Sequence, residues 1–314
     1  MNVISQLLKV KYPLIQGGMI WNSGYKLASA VSNAGGFGII GAGSMYPDVL
    51  RQHIRKCKLA TDKPFGVNVP MLYPNVEELI QIIIDEKVPV VFTSAGNPKI
   101  FTQRLKENGV IVVHVVSSSK FALKAQDAGV DAIVAEGFEA GGHNGREETT
   151  TFTLIPMVRE QIKIPLIAAG GIATGRGMLA AMVLGADGVQ MGSRFAASVE
   201  SSAHENFKNL VVNIGEGDTQ LTLKELAPVR LIKNKFYDDL QELYATCPSA
   251  EELKELLGRA RAKRGMFEGD LIDGELEIGQ IAGLIHDIKP ASEIVREIIA
   301  EFEAAKIDIA QINF

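Results

Sequence analysis

The sequence predicts an α/β fold, a (β/α)8 TIM barrel with an inserted, mainly helical lid after strand eight. Eight short apolar runs with high β-propensity recur every 21 to 34 residues, and each is followed by a segment with helical periodicity. Several of these segments stop at a glycine, as helices commonly do at their C-termini. Apolar strands that alternate with helices favour a parallel sheet covered by helices, and eight such units can close a barrel. An open doubly wound sheet is the alternative.

The elements follow one another regularly up to the eighth strand. The predicted strands begin near Pro13, Phe37, Phe65, Val88, Val110, Asp131, Pro165 and Asp187. The helical segments between them cover Tyr25–Ala34, Pro47–Lys58, Val76–Lys87, Ile100–Asn108, Ser119–Ala128, Leu154–Ile162 and Arg176–Leu184.

The repeat then stops, and residues 199–265 are more polar. We predict that they form the lid, with helices over Asp238–Tyr244 and Ala250–Arg264. Residues 1–198 and 266–314 make up the barrel domain. The last amphipathic segment, Ala291–Ala305, supplies the eighth outer helix.

Composition excludes several classes of protein. The 314 residues are 46% hydrophobic and 22% charged, which excludes a disordered chain, and the net charge of −5 argues against a nucleic-acid-binding protein. Cys57 and Cys247 stand far apart and outside any Cys/His cluster, so neither a disulfide framework nor a metal site is predicted. The N-terminus has no signal-peptide pattern, and the uncharged stretch 27–47 is too rich in glycine for a membrane span. We expect a cytoplasmic protein with no membrane contact.

Residues 36–41 match the dinucleotide-binding pattern GxGxxG, with Asp62 downstream. In that motif the glycines follow a strand and open a helix, whereas here they lie inside the second predicted strand and its exit. Close packing of the strand and a tight turn are the preferred interpretation.

Small residues end most of the predicted strands, where the active site of a barrel lies. They are Gly17, Gly18, Met19, Asn68, Ser94, Ala95, Gly96, Gly170, Gly171, Gly192 and Ser193. Any single glycine could serve only a turn, but together they allow the backbone to approach a ligand closely. Because the loops after strands seven and eight form the recurrent phosphate site of this fold, we expect a phosphorylated cofactor.

The longest interval follows strand six and contains the candidate catalytic residue, His143. An imidazole among glycines can point at a ligand and exchange a proton near neutral pH. Glu136 ends the strand and would either accept a hydrogen bond from a cofactor hydroxyl or form an internal salt bridge. The segment 146–148 reads as a solvated charged turn, and Arg194 faces either a phosphate or Glu200. The other four histidines are interpreted as structural.

Several motifs then point to a family. They are GGM at 17–19, PFGVN at 64–68, AEGFEAGGHNG at 135–145, IPLIAAGGIATGRG at 164–177, GADGVQMGSRF at 185–195 and GQIAGLI at 279–285. Over nearly the whole chain the sequence resembles the FMN-dependent enoyl-acyl-carrier-protein reductase II (FabK) family, within the nitronate monooxygenase (2-nitropropane dioxygenase-like) superfamily. The tail EGDLIDGELEIGQIAGLI favours the reductase. Asn144 and the segment 146–151 lengthen the loop relative to the family, so we expect the pocket beside His143 to differ.

The resemblance implies a bound FMN and a two-step reaction. NAD(P)H would reduce the flavin, and the hydride would then pass to C3 of a trans-2-enoyl thioester while His143 orients or polarises the carbonyl, as in the last step of fatty-acid elongation. The residues implied in cofactor binding are Gly18, Met19, Asn68, Ala95, Gly96, Glu136, Gly141, Gly142, Gly170, Gly171, Ile172, Gln190, Met191, Gly192, Ser193 and Gln280.

Partners and alternatives follow from the same resemblance. The substrate partner would be an acyl carrier protein, members are commonly homodimers, and some respond to a monovalent cation. Lys224, Arg230, Lys233, Asn234 and Lys235 form a basic cluster in the lid that either docks the acidic carrier protein or is a solvated face. The main alternative is a nitronate monooxygenase, which oxidises alkyl nitronates with FMN and O2, and a non-catalytic flavin-binding protein is a third.

Overall fold

The computed structural model describes residues 2–312, which form eleven strands and thirteen α-helices. The strands are β1 (Leu14–Gln16), β2 (Gly38–Gly41), β3 (Phe65–Pro70), β4 (Val90–Ser94), β5 (Ile111–Val116), β6 (Ala132–Glu136), β7 (Gly142–His143), β8 (Leu166–Ala169), β9 (Gly188–Met191), β10 (Thr219–Thr222) and β11 (Val229–Ile232). The helices are α1 (Val3–Leu8), α2 (Tyr25–Asn33), α3 (Pro47–Ala60), α4 (Val76–Asp85), α5 (Thr102–Glu107), α6 (Ser119–Asp127), α7 (Thr151–Arg159), α8 (Gly175–Val183), α9 (Ser193–Ala196), α10 (Glu205–Val211), α11 (Lys235–Tyr244), α12 (Ala250–Leu257) and α13 (Ala291–Ala310).

Eight parallel strands form the predicted barrel, in the order β1-β9-β8-β6-β5-β4-β3-β2. The last gap is closed by a parallel bridge between Ile15 and Phe37, flanked by the hydrogen bonds Phe37 N–H to Leu14 O and Gln16 N–H to Phe37 O, both 2.9 Å long. The outer helices lie between successive strands, and α13 packs between α8 and α2. The TIM-barrel prediction and the role of the last helix are therefore confirmed.

Alternation of side chains along the strands builds two cores. Inward-facing residues such as Phe37, Phe92 and Val134 fill the barrel together with Ile4 and Leu8 of α1, which closes one end. Their neighbours along the strands face the surrounding helices and form the larger outer core. Because α1 closes the end of the barrel at which the strands begin, a ligand can enter only at the opposite end, where the strands finish.

The inserted segment contains more than the two predicted helices. Besides α11 and α12 it holds α10 and an antiparallel hairpin, β10–β11, whose second edge pairs with β7 of the loop after β6. The helix predicted over Ala250–Arg264 ends at Leu257 because Gly258 adopts φ +65°. Helices therefore account for most of the regular structure of the insertion, as predicted, and two further strands join it to a three-stranded sheet.

The glycines of the GxGxxG match lie in β2 and its approach, as the strand-packing interpretation predicts. A Cβ at Gly38 would overlap the backbone carbonyl of Ala28 in α2. Helix α2 can therefore lie directly on the strand only if residue 38 is glycine. Among the described residues, no helix is both long and apolar enough to cross a bilayer.

This contact predicts a large effect of one methyl group. We expect Gly38→Ala to destabilise the protein by about 3 kcal/mol, because the backbone of α2 must move to accept it, and to lower the Tm by roughly 4–5 °C. Gly215→Ala is the control, since its Cβ would meet only Asp218 Oδ2 at 3.9 Å. Thermal denaturation of both variants measures the difference, and equal Tm values would contradict the packing described.

Candidate active site

A cavity of about 1360 Å³ opens at the end of the barrel where the strands finish. Its wall is formed by strand ends and the loops after them, by Ala227 and Pro228 of the inserted segment, and by Glu277, Ile278 and Ile281 of the tail. A site for one small molecule usually measures roughly 300–1,000 Å³. This cavity therefore has room for a cofactor and a second ligand.

Most of the predicted site residues line this cavity. They are His143, Gly18, Met19, Asn68, Ala95, Gly96, Glu136, Gly141, Gly142, Gly170, Gly171, Ile172, Gln190, Gly192 and Ser193. The fold thus brings together the ends of distant strands, as the barrel prediction requires.

Met191 and Gln280, unlike the other predicted site residues, do not line the cavity. Because Gln190 points into the barrel, the next side chain, Met191, faces the helices and is buried in the outer core. Gln280 opens a short 3-10 helix with its side chain exposed, while its backbone N–H donates to Glu139 O at 2.9 Å. Its role is therefore to hold the tail against the loop after β6.

The loops after β8 and β9 form a cradle of free amides. Gly170 and Gly171 have φ values of +90° and +66°, which favour glycine. Within residues 2–312, no protein group accepts a hydrogen bond from the N–H groups of Gly171, Ile172 and Ser193. Amides that converge on a cavity without protein acceptors suit a phosphate. The phosphate end of the expected FMN fits these residues.

The part of the cavity wall formed by Gly18 and Asn68 is tightly packed. A Cβ at Gly18 would overlap the side chain of Asn68, so this side chain lies directly against the backbone of Gly18. Asn68 is buried and donates through Nδ2 to Phe92 O at 3.2 Å, which fixes its amide at the cavity. A planar ring can therefore lie flat against Gly18 beside a fixed polar group.

Glu136 ends β6 at the cavity, and the structure gives it no ion-pair partner among residues 2–312. The predicted internal salt bridge is therefore absent. Burial raises the pKa of the Glu136 carboxyl to about 7. Near neutral pH the carboxyl can therefore donate a hydrogen bond to a cofactor hydroxyl or accept one from it.

His143 lies in β7, where it pairs with Val229 of the inserted hairpin. Its backbone is thus fixed by the insertion, while its ring lines the cavity and has no hydrogen-bond partner among the described residues. Desolvation lowers the pKa of His143. A neutral imidazole is accordingly presented to whatever occupies the cavity.

Arg230 of β11 locks the hairpin onto the same loop. Its side chain is only 2% exposed, donates through Nε and Nη2 to Phe138 O at 3.2 and 3.1 Å, and lies over the Phe138 ring at 4.5 Å. Arg146 adds hydrogen bonds from the loop to the carbonyls of Lys224 and Leu226. The charged turn 146–148 therefore attaches the loop after β6 to the insertion, and it is also solvated.

Four of the five residues of the basic cluster predicted in the lid have partners in the structure. Arg230 is buried, Lys224 pairs with Glu148, Lys235 pairs with Asp239, and Asn234 caps α11. Lys233 is exposed, and the side chains of Lys224 and Lys235 also reach the surface. Arg230 therefore cannot contribute to a docking surface, whereas the three lysines remain at the surface of the insertion.

Two other basic residues have structural roles. Arg194 pairs with Asp287, so it meets neither a phosphate site nor Glu200. His114 Nδ1 lies 2.7 Å from Thr93 Oγ1, and burial lowers the pKa of His114 to about 4. This contact fixes the ring of His114 at the wall of the cavity, which His114 also lines.

Sequence reasoning missed Tyr73, Glu139 and Glu277, which also line the cavity. The carboxylate of Glu139 accepts hydrogen bonds from Thr151 N–H at 2.9 and 3.0 Å and so fastens the loop to the start of α7. Glu139 was within the quoted motif around His143. Glu277 lies more than a hundred residues away, and periodicity gives no sign that the tail returns to the site.

Comparison with known families covers almost the full chain. The family model of nitronate monooxygenases matches residues 2–79 and 75–301. The chain belongs to the nitronate monooxygenase family. This confirms the predicted superfamily and the general class of oxidoreductase.

Relatives within the nitronate monooxygenase family carry different names. The structure of FabK from Thermotoga maritima matches with a TM-score of 0.93 and 44% identity, over 99% of this chain and 98% of that one. A probable nitronate monooxygenase from Staphylococcus saprophyticus is 35% identical over 83% of this chain and 88% of its own length. A Rhodococcus jostii protein named (3aS,4S,5R,7aS)-5-hydroxy-7a-methyl-1-oxo-octahydro-1H-indene-4-carboxyl-CoA dehydrogenase is 30% identical over 95% of this chain and 94% of its own length. Membership of the family therefore leaves the reaction to be argued from the site.

The state of Glu136 predicts how stability depends on pH in FMN-free protein. A carboxyl whose folded pKa is raised stabilises the fold below its unfolded pKa, and this contribution is lost as the pH rises through about 7. Glu136→Gln cannot ionise, so between pH 5 and 8 it should lose less stability than the wild type, by on the order of 3 kcal/mol. Glu147→Gln at the exposed rim is the control. Identical pH slopes of the Tm in wild type and Glu136→Gln would contradict the assignment.

Proposed function

We propose that this protein is an NAD(P)H-dependent enoyl-thioester reductase that uses bound FMN, with trans-2-enoyl-acyl-carrier-protein as its substrate. The observation that carries the proposal is the full-length similarity to FabK at 44% identity. The size of the cavity supports it, because a flavin and an acyl thioester must share the site. The Rhodococcus relative, whose name states a CoA thioester, supports the thioester class.

The cradle and other residues of the cavity wall would hold FMN in a defined orientation. Free amides at Gly171, Ile172 and Ser193 suit its phosphate, Glu136 suits a ribityl hydroxyl, and Gly18 beside Asn68 suits the ring. When bound, FMN accepts a hydride from NAD(P)H and donates one to C3 of the enoyl group. The protein contributes binding, orientation and control of protons.

His143 is the residue best placed to act on the thioester. As a neutral imidazole it can donate a hydrogen bond to the carbonyl oxygen, which polarises the C2–C3 double bond. The hydride received at C3 must be matched by a proton at C2, which water supplies either directly or through His143, whose ring takes up a proton as it gives one and stays neutral. The product is the saturated acyl thioester, so atoms and charge balance.

A nitronate monooxygenase is the second candidate, favoured by the family model and by the Staphylococcus saprophyticus relative. In that reaction His143 would assist binding or deprotonation of a nitro compound. The two candidates differ in the reductant and in the second substrate. Steady-state assays therefore separate them.

We expect the FMN-loaded protein to oxidise NADH or NADPH in step with reduction of crotonyl-CoA, a soluble analogue of the carrier-bound substrate. With propionate 3-nitronate as sole substrate, oxygen consumption should be slower by at least about tenfold, a difference of about 1.4 kcal/mol in activation free energy. Absorbance at 340 nm and an oxygen electrode measure the two rates. Rapid oxygen consumption without enoyl reduction would establish the monooxygenase instead.

The variant His143→Ala tests the role of the imidazole. It should retain FMN, since the predicted phosphate contacts come from other loops, and lose about 10²–10⁴-fold in kcat for enoyl reduction. His286→Ala, on the exposed surface, is the matched control. FMN content is read from visible absorbance, and an unchanged kcat in His143→Ala would assign the proton to solvent or to another residue.

A further inference from the structure

Glu277 is a polar cavity residue that the mechanism above does not use. Its side chain lines the cavity, yet within residues 2–312 its carboxyl has no hydrogen-bond or ion-pair partner. An unpaired carboxyl that is partly withdrawn from water on a cavity wall is unfavourable for folding. Such groups are found where they serve a ligand.

The backbone around Glu277 holds this carboxyl against Gly142, the residue before His143. Glu277 forms an antiparallel bridge with Leu231 of β11, one residue along from the pairing of Arg230 with Gly142. A Cβ at Gly142 would lie 2.7 Å from Glu277 Oε2, and Gly142 has φ +73°. The absence of a side chain at Gly142 therefore lets the carboxyl lie against the residue that precedes His143.

The surroundings of Glu277 favour its neutral form. Burial, together with the negative charge of Glu275 on the same segment, raises the pKa of Glu277 well above its ordinary value. Tyr73, from the loop after β3, is a further neighbour, and its pKa is raised by burial and by these two carboxyls. The imidazole of His143, from the loop after β6, is itself shifted toward its neutral form. Arg261, whose charge acts on Glu275, donates its N–H groups to backbone carbonyls.

We propose that Glu277 is a second substrate-contacting group of this site, donating a hydrogen bond from its neutral carboxyl to the acyl oxygen of the thioester. The proposal rests on the proposed function. It follows from a free carboxyl at the cavity wall, fixed against Gly142, while the imidazole of the next residue, His143, lines the same cavity. Two donors on one oxygen stabilise the negative charge that develops there when hydride reaches C3.

Two variants separate donation from ionisation. Glu277→Gln keeps a donor that cannot ionise, whereas Glu277→Leu removes the donor at similar size. In the FMN-loaded protein at pH 6.5, we expect Glu277→Leu to lower kcat/KM for crotonyl-CoA by about 10- to 100-fold and Glu277→Gln by no more than about threefold. As the pH rises through the raised pKa of Glu277, the wild type should lose activity relative to Glu277→Gln, because its carboxyl ionises.

Glu147→Gln, at the mouth of the same cavity, is the control and should follow the wild-type pH profile. The Tm and FMN content of Glu277→Leu should equal or exceed those of the wild type, because an unpaired carboxyl has been removed. Wild-type kinetics in both Glu277 variants, or an equal loss in Glu277→Gln and Glu277→Leu, would overturn the role of Glu277. Failure of the wild type itself to reduce crotonyl-CoA would instead overturn the proposed function.

Discussion

The site depends on the contact between the inserted hairpin and the loop after β6. That loop carries Glu139, Gly142 and His143, and pairing of β7 with β11 holds it over the mouth of the barrel. The guanidinium of Arg230 strengthens the contact, because it satisfies Phe138 O and covers the Phe138 ring away from water. The insertion is thus the part of the fold that positions the candidate catalytic imidazole.

The tail, residues 268–285, also contacts the loop after β6 and the barrel. Gly279 N–H donates to Ser193 Oγ at 3.0 Å, which ties the tail to the end of β9. A Cβ at Gly141 would overlap the backbone at Ile278, so the loop after β6 and the tail are in direct backbone contact. Barrel, insertion and tail therefore enclose one cavity, and a change in any of them alters the other two walls.

Sequence reasoning predicted the barrel and most of the candidate cofactor residues, because both follow from local signals. Strand ends are visible as apolar runs that finish in small residues, and the fold places those ends together. Contacts between segments that lie far apart in the sequence could not be predicted from these local signals. The β10–β11 hairpin stayed unrecognised because its strands are only four residues each. The position of Met191 outside the cavity was not foreseen because the side-chain alternation within β9 was not applied. The buried position of Arg230 and the return of Glu277 to the site depend on long-range packing that no periodicity shows.

The central claim is that one cavity lets a reduced flavin meet an enoyl thioester. Anaerobic stopped-flow measurement of the FMN-loaded protein, with NADPH or NADH followed by crotonyl-CoA, tests it most directly. The structure and the similarity to FabK predict rapid bleaching of the flavin and rapid recovery of its colour on addition of the thioester. A flavin that stays oxidised with both nucleotides but bleaches with a nitronate would contradict the claim.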